Sequence, residues 1–132
     1  MSFIRIFIGE YRLIRLGEQL REEISQLILR QQIKDPRVST FLTINHVEIV
    51  RDLSYAKVNV SSFLPDEQVE RGVAGLQSAA GFIQSTIAKK LRIRQFPKLT
   101  FVADKSIKQG FEMVKKLEKL EAEEASAKLE NQ

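Results

Sequence analysis

The chain has no cysteine, which removes a disulfide scaffold, a thiolate nucleophile and every Cys-based zinc site. Its single histidine, His46, excludes His-pair metal motifs and leaves acid–base machinery without its usual part. No apolar run approaches the ~18–20 residues that span a bilayer. Phe3–Ile8 is apolar but short, is interrupted by Arg5 and has no small-residue cleavage site. A secretory signal is therefore not expected, and the cytoplasm is. What remains is ordinary for a folded protein. The 132 residues, 43% hydrophobic and 29% charged, suit one domain with one core rather than disorder throughout.

Charge is unevenly placed. Lys and Arg number 21 against 17 Asp and Glu, a net of +4. Residues 1–111 carry 17 cations and 11 anions, a net of +6, while residues 112–132 carry 4 and 6, a net of −2. Within the body, Gln84–Lys108 holds Lys89, Lys90, Arg92, Arg94, Lys98, Lys105 and Lys108 against Asp104 alone. Such a run is either a solvated face or a surface for a phosphate backbone, where each neutralised phosphate releases counterions. Cations also suit the end of a helix, which accounts for Lys89–Arg94 but not for Lys98, Lys105 and Lys108. Phe96 and Phe101 interleave with these charges, as stacking on unpaired bases requires, although Phe101 also suits a core position.

Hydrophobic periodicity outlines the elements. Leu13, Leu16, Leu20, Ile24, Leu27 and Ile28 keep helical spacing from Tyr11 to about Gln32. Pro36 ends that helix by disfavouring helical geometry in the residue before it. Residues 1–10 form an N-terminal arm of undecided structure. Phe41–Val50 reads as a strand whose two halves alternate in opposite phase, so a bulge is expected near Asn45-His46. Tyr55–Phe63 alternates cleanly, with Ala56, Val58 and Val60 on one face, and Arg51–Ser54 supplies the turn of an antiparallel hairpin.

Asp66 is expected to cap the next helix, with Glu67 in its first turn. Val69, Val73, Leu76, Ala80, Ile83, Ile87 and Leu91 then keep a single helical phase as far as Arg94. Gly81 lies in the middle and costs ~1 kcal/mol there relative to alanine. The helix either tolerates Gly81 or kinks, and propensity does not decide. Lys98–Ala103 reads as a third strand, with Leu99, Phe101 and Ala103 on one face. A last helix opens at Asp104-Lys105-Ser106 with Ile107, Phe111, Val114 and Leu117 inward. From Glu118 the Glu-, Lys- and Ala-rich tail reads as a frayed helix passing into disorder. The whole is an α+β two-layer sandwich with a small, largely antiparallel sheet.

No catalytic centre assembles from these residues. His46 has no paired nucleophile, and Gly72, Gly75 and Gly81 lie inside a helix and follow no strand, unlike a phosphate-binding fingerprint. Glu22, Glu23, Asp66, Glu67 and Glu70 suit caps and solvated faces. The expectation is a non-enzyme with no cofactor, no metal and no small-molecule substrate.

The order of elements is that of a type II KH domain, and a set of local strings resembles the ribosome-binding factor A family. The strings are Asp35-Pro36-Arg37 after the amphipathic helix, Val47-Glu48, and Arg51-Asp52-Leu53-Ser54-Tyr55-Ala56-Lys57-Val58. They continue with Ala79-Ala80-Gly81-Phe82-Ile83, Leu91-Arg92-Ile93-Arg94, and Pro97-Lys98-Leu99-Thr100-Phe101 before Asp104-Lys105-Ser106. The resemblance implies a type II KH-like RNA-binding domain over residues 11–117, of order α-β-β-α-kink-α-β with a C-terminal helical extension, and a charged tail over 118–132. It implies a bacterial factor that binds the free, immature small (30S) ribosomal subunit, assists late 16S rRNA maturation and is linked to cold adaptation.

In that family an Ala-x-Gly kink stands where ordinary KH domains carry a Gly-x-x-Gly loop. It falls here on Ala79, Ala80 and Gly81, which favours the kinked reading of the long helix. Small residues let backbone approach phosphates, and a new helix N-terminus attracts anions. Gln84 stands where relatives often carry arginine, and Lys98 where they often carry glutamate.

The expected RNA-binding residues are Ala79, Ala80, Gly81, Lys89, Lys90, Arg92, Arg94, Lys98, Lys105 and Lys108. Arg15 and Arg37 join them, although each has a neighbouring acid with which to pair instead. The expected partner is the small ribosomal subunit and its 16S rRNA, bound by a monomer with no membrane involved. A helix-turn-helix DNA-binding protein using Val69–Arg94 is disfavoured by the apolar phase that runs straight through Gly81. A protein-interaction module whose basic window meets an acidic partner is the other alternative.

Overall fold

The computed structural model describes the backbone of residues 2–130 and the side chains of residues 9–106 and 108–129. In chain order the elements are α1 (Ser2–Leu29), β1 (Thr43–Ile49), β2 (Tyr55–Ser61), α2 (Asp66–Ser78), α3 (Ala80–Leu91), β3 (Lys98–Ala103) and α4 (Ser106–Glu130). The strands form one sheet of order β1-β2-β3. β1 and β2 make the expected antiparallel hairpin, and their register shifts between Ile44 and His46, so Asn45 is the bulge that reconciles the two phases. β3 runs parallel to β2, from Lys98 beside Tyr55 to Ala103 beside Val60. The sheet is thus half parallel rather than largely antiparallel, because the α2–α3 crossover returns the chain to the end where β2 began.

One face of the sheet is buried. Val58 and Val60 of β2, Val47 of β1 and Leu99 of β3 meet Leu20 and Ile24 of α1, Leu76 of α2 and Ile83 and Ile87 of α3. Each such side chain contributes ~1.5–3 kcal/mol on burial. Phe101 belongs to this core, 5% exposed, and Phe96 packs against it. Phe101 is therefore withdrawn from any stacking role. α1 lies so close to β1 that a Cβ at Gly17 would sit 2.7 Å from the Val47 carbonyl oxygen.

The long apolar phase is cut in two at Ala79, whose φ of −88° and ψ of 3° leave the helical region. The Ala79 N–H still donates to the Gly75 and Leu76 carbonyls at 3.1 Å, and the Ile83 N–H donates to the Ala79 carbonyl at 2.9 Å. The break is thus a single residue, and it falls at Ala79 rather than Gly81, which lies in α3 without a positive φ. Gln77 fixes the position of the break. Its Nε2 donates to the Leu99 carbonyl at 3.1 Å, and its Oε1 accepts the Phe101 N–H at 2.9 Å. The side-chain amide so occupies the edge of β3 that has no neighbouring strand.

Other expectations change at the helix ends. Pro65, not Asp66, is the N-cap of α2, with no side-chain cap bond. The Asp66 carboxylate instead lies 2.9 Å from Lys108 Nζ. Phe111, Val114 and Leu117 of α4 are exposed rather than inward, and Ile107 is outside the described side chains. The buried sheet face is already covered by α1, α2 and α3, which leaves α4 nothing to pack on beyond its root. α4 remains helical to Glu130 where fraying was expected, and α1 begins at Ser2, through the segment expected as an arm.

Gly17→Ala pushes against backbone and is expected to destabilise the fold by about 1–3 kcal/mol. Gly81→Ala meets nothing within 4 Å and is expected to stabilise it by about 0.5–1 kcal/mol. Urea unfolding measures both, and a loss at position 81 contradicts its open geometry.

Candidate nucleic-acid interface

Gly81 is exposed, helical, and without a heavy atom within 4 Å of where a Cβ would stand. Neither a left-handed φ nor close packing requires glycine there, and in a helix it costs ~1 kcal/mol relative to alanine. Ala79 and Ala80 are half-buried against the core. The first turn after the kink therefore presents bare backbone at Gly81, beside Phe82, which is 50% exposed. Phe82, Ala79 and Ser78 face Lys34, Asp35 and Pro36 across a hollow of about 350 Å³. Phe82 was not among the expected site residues. Its signal in the sequence is an aromatic that falls outside the phase of Ile83 and Ile87.

α3 carries this surface toward the cations. Gly81, Ser85 and Lys89, four residues apart, are exposed while Ile83 and Ile87 are buried. The helix has 12 residues and spans ~18 Å. Arg92 then holds the left-handed C-cap at φ 56°, where glycine is the usual residue. Arg94 follows in the connection, and Lys98 opens β3 with its N–H on the Ser54 carbonyl at 3.0 Å. Lys89, Arg92, Arg94 and Lys98 are exposed and, among the described residues, form no ion pair. Lys90 pairs with Glu23 of α1 at 2.9 Å.

The basic run that is continuous in sequence is divided in space. β3 separates Lys98 from Ala103 by ~17 Å along the strand. Beyond its far end Lys105 pairs with Glu70 at 3.1 Å and Lys108 with Asp66 at 2.9 Å. Lys108 also donates to the Leu64 carbonyl. These two cations root α4 on the start of α2, away from the unpaired cluster. Arg15 is exposed on α1, about two turns before Glu23.

Arg37 is a clamp. Its Nε and Nη2 fork onto the Asp35 carboxylate at 3.0 and 2.8 Å, and Nη2 reaches Ser78 Oγ at 3.1 Å. The loop after α1 is thereby tied to the last residue of α2. The guanidinium and the Arg37 N–H hold the Asp35 carboxyl down at about 2, and the carboxylate raises the Arg37 pKa in return. Asp104 is also lowered, first by the Ser106 hydroxyl and N–H and then by Asn45 of the bulge. His46 lies 4.0 Å from Glu48, both exposed. Among the described residues, no group of three or more His, Asp or Glu is placed to hold a metal ion. No described helix is long and apolar enough to cross a membrane.

The family model described as ribosome-binding factor A matches residues 12–117. Ribosome-binding factor A of Treponema denticola is 60% identical over 114 residues, 86% of this chain and 86% of that protein. The crystal structure of ribosome-binding factor A from Thermus thermophilus superposes with a TM-score of 0.58 at 27% identity, covering 69% of this chain and 93% of that one. A homology model of the Thermus thermophilus factor, fitted into a cryo-EM map of a 30S complex, gives a TM-score of 0.57 at 27% identity over 70% of this chain and 96% of that one.

The Asp35–Arg37 clamp has a pH signature. The folded Asp35 carboxyl titrates at about 2, below its ordinary 3.8. Its stabilising contribution is therefore present above pH ~4 and is lost as the pH falls toward 2. Thermal unfolding should place Asp35→Asn below the wild type at neutral pH, with the gap closing between pH ~4 and 2. A gap that stays constant through this range contradicts the clamp.

Proposed function

Because the chain belongs to the ribosome-binding factor A family, we propose that it binds the free, immature small ribosomal subunit through the phosphates of its 16S rRNA and assists late maturation of that RNA, in a role linked to cold adaptation. It acts in the cytoplasm as a monomer, by binding rather than by catalysis and without a cofactor. The observation that carries the reading is Gly81, a glycine that the fold does not need, in the first turn after the kink and joined by α3 to four cations that are unpaired among the described residues. Backbone at Ala79, Ala80 and Gly81 receives an RNA phosphate at close range, which a Cβ at position 81 would hold off. Lys89, Arg92, Arg94 and Lys98 neutralise the phosphates that follow. Lys90, Lys105, Lys108 and Arg37, already paired, serve first to hold the surface in place. The 30S complex of the Thermus thermophilus relative supports the choice of partner. A factor that prefers one arrangement of the RNA shifts the subunit toward it by its differential affinity.

A helix-turn-helix reading fits less well. Only Ala79 separates α2 from α3, whereas that motif needs a turn of about three to four residues.

Co-sedimentation with isolated small subunits, compared with intact ribosomes, tests the reading, and recovery with neither overturns it. The affinity should fall with salt, by roughly 0.7–0.9 log units per log unit of salt for each phosphate contact. Glutamine at positions 89, 92, 94 and 98 should flatten that slope, while Lys105→Gln and Lys108→Gln should leave it nearly unchanged. Binding to the subunit that survives the fourfold change points to a protein contact instead.

A further inference from the structure

β2 and β3 turn a second surface to solvent. The alternation that buries Ala56, Val58, Leu99 and Phe101 leaves Tyr55, Lys57, Lys98 and Thr100 exposed. The parallel register sets Tyr55 beside Lys98 and Lys57 beside Thr100, on strands ~4.8 Å apart. The four side chains form one patch, with an aromatic ring 53% exposed at its corner. Glu48 neighbours Lys57 from the β1 side, so the acid borders the patch while the seam between β2 and β3 is cationic. Lys98 belongs also to the unpaired cluster with Lys89, Arg92 and Arg94. The patch is therefore continuous with the phosphate surface proposed above.

We propose that Tyr55 is a stacking platform for an unpaired RNA base, whose flanking phosphates lie on Lys57 and Lys98. The inference rests on the rRNA-binding reading and extends it, because it requires the bound segment to be single-stranded over this face. A base paired within a helix cannot lie flat on the ring, whereas any splayed base can, since every base has a π face. Phe96 and Phe101, the aromatics that interleave with the charges in sequence, are taken up by the core. Tyr55 is a ring that the fold leaves exposed between Lys57 and Lys98.

The chain has 2 tyrosines and no tryptophan, so Tyr11→Phe leaves Tyr55 as the sole strong emitter. Emission of this variant is followed during titration with a single-stranded mixed-sequence oligoribonucleotide and with a duplex of the same length, while anisotropy of end-labelled RNA reports binding independently. The single strand is expected to quench Tyr55 by about half or more at saturation, and the duplex is not. Tyr55→Ala is expected to weaken single-strand binding about tenfold, and Tyr55→Phe to keep it. The emission readout needs no change at position 55, so it stands even where Tyr55→Ala folds poorly. Saturable anisotropy with unchanged emission overturns the stacking role and leaves the phosphate surface intact. A wild-type chain that binds neither the oligonucleotide nor the small subunit overturns both.

Discussion

The side-chain amide of Gln77 is the joint on which the functional surface turns. It occupies the free edge of β3 with two hydrogen bonds, one to the Leu99 carbonyl and one from the Phe101 N–H. Two residues later the helix breaks at Ala79. On the opposite side, Arg37 ties Ser78 to the loop after α1. The end of α2 is thus held both from the sheet and from the loop, and α3 must start where these contacts leave it. Each hydrogen bond is worth only ~0.5–1.5 kcal/mol net. Their importance is geometric, since the proposed phosphate site, made of backbone, is only as well placed as the helix end that presents it.

The distribution of ion pairs sorts the cations by task. Lys90, Lys105, Lys108 and Arg37 each meet an acid from another part of the chain or loop, and they tie α3 to α1, α4 to α2, and the α1 loop to itself. Exposed pairs of this kind contribute ~0–1 kcal/mol each and orient more than they stabilise. Lys89, Arg92, Arg94 and Lys98 stand exposed and, among the described residues, without such partners. In the proposed complex these four displace counterions condensed on RNA, which would make the same residues the source of both affinity and salt sensitivity. Arg92 strengthens this view locally, since it keeps a long cationic side chain at a left-handed position that glycine would occupy with less strain.

Much of the architecture was legible because it is local. The opposite phases of Leu42–Ile44 and Val47–Ile49 required a bulge, and Asn45 is that bulge. The alternation of β2 and the helical spacing of Leu20, Ile24 and Leu27 identified the core directly. What was not legible depends on partners distant in sequence. Propensity points to Gly81 as the weak place in the helix, but the break falls at Ala79, immediately after the anchors at Gln77 and Ser78. Periodicity turns Phe111, Val114 and Leu117 inward, but three helices have already covered the only buried sheet face. The basic run looked like one patch because sequence does not reveal that β3 carries its two halves to opposite ends. Family resemblance located the kink to within two residues, which periodicity alone did not.

The most direct test of the account is a cryo-EM map of the chain bound to immature small subunits. The account predicts rRNA backbone in contact with Ala79–Gly81 and running along α3 to Lys89, Arg92, Arg94 and Lys98, with Lys105 and Lys108 still paired to Glu70 and Asp66. A complex in which the kink faces solvent or a ribosomal protein, while the RNA meets the Lys105–Lys108 end, contradicts it.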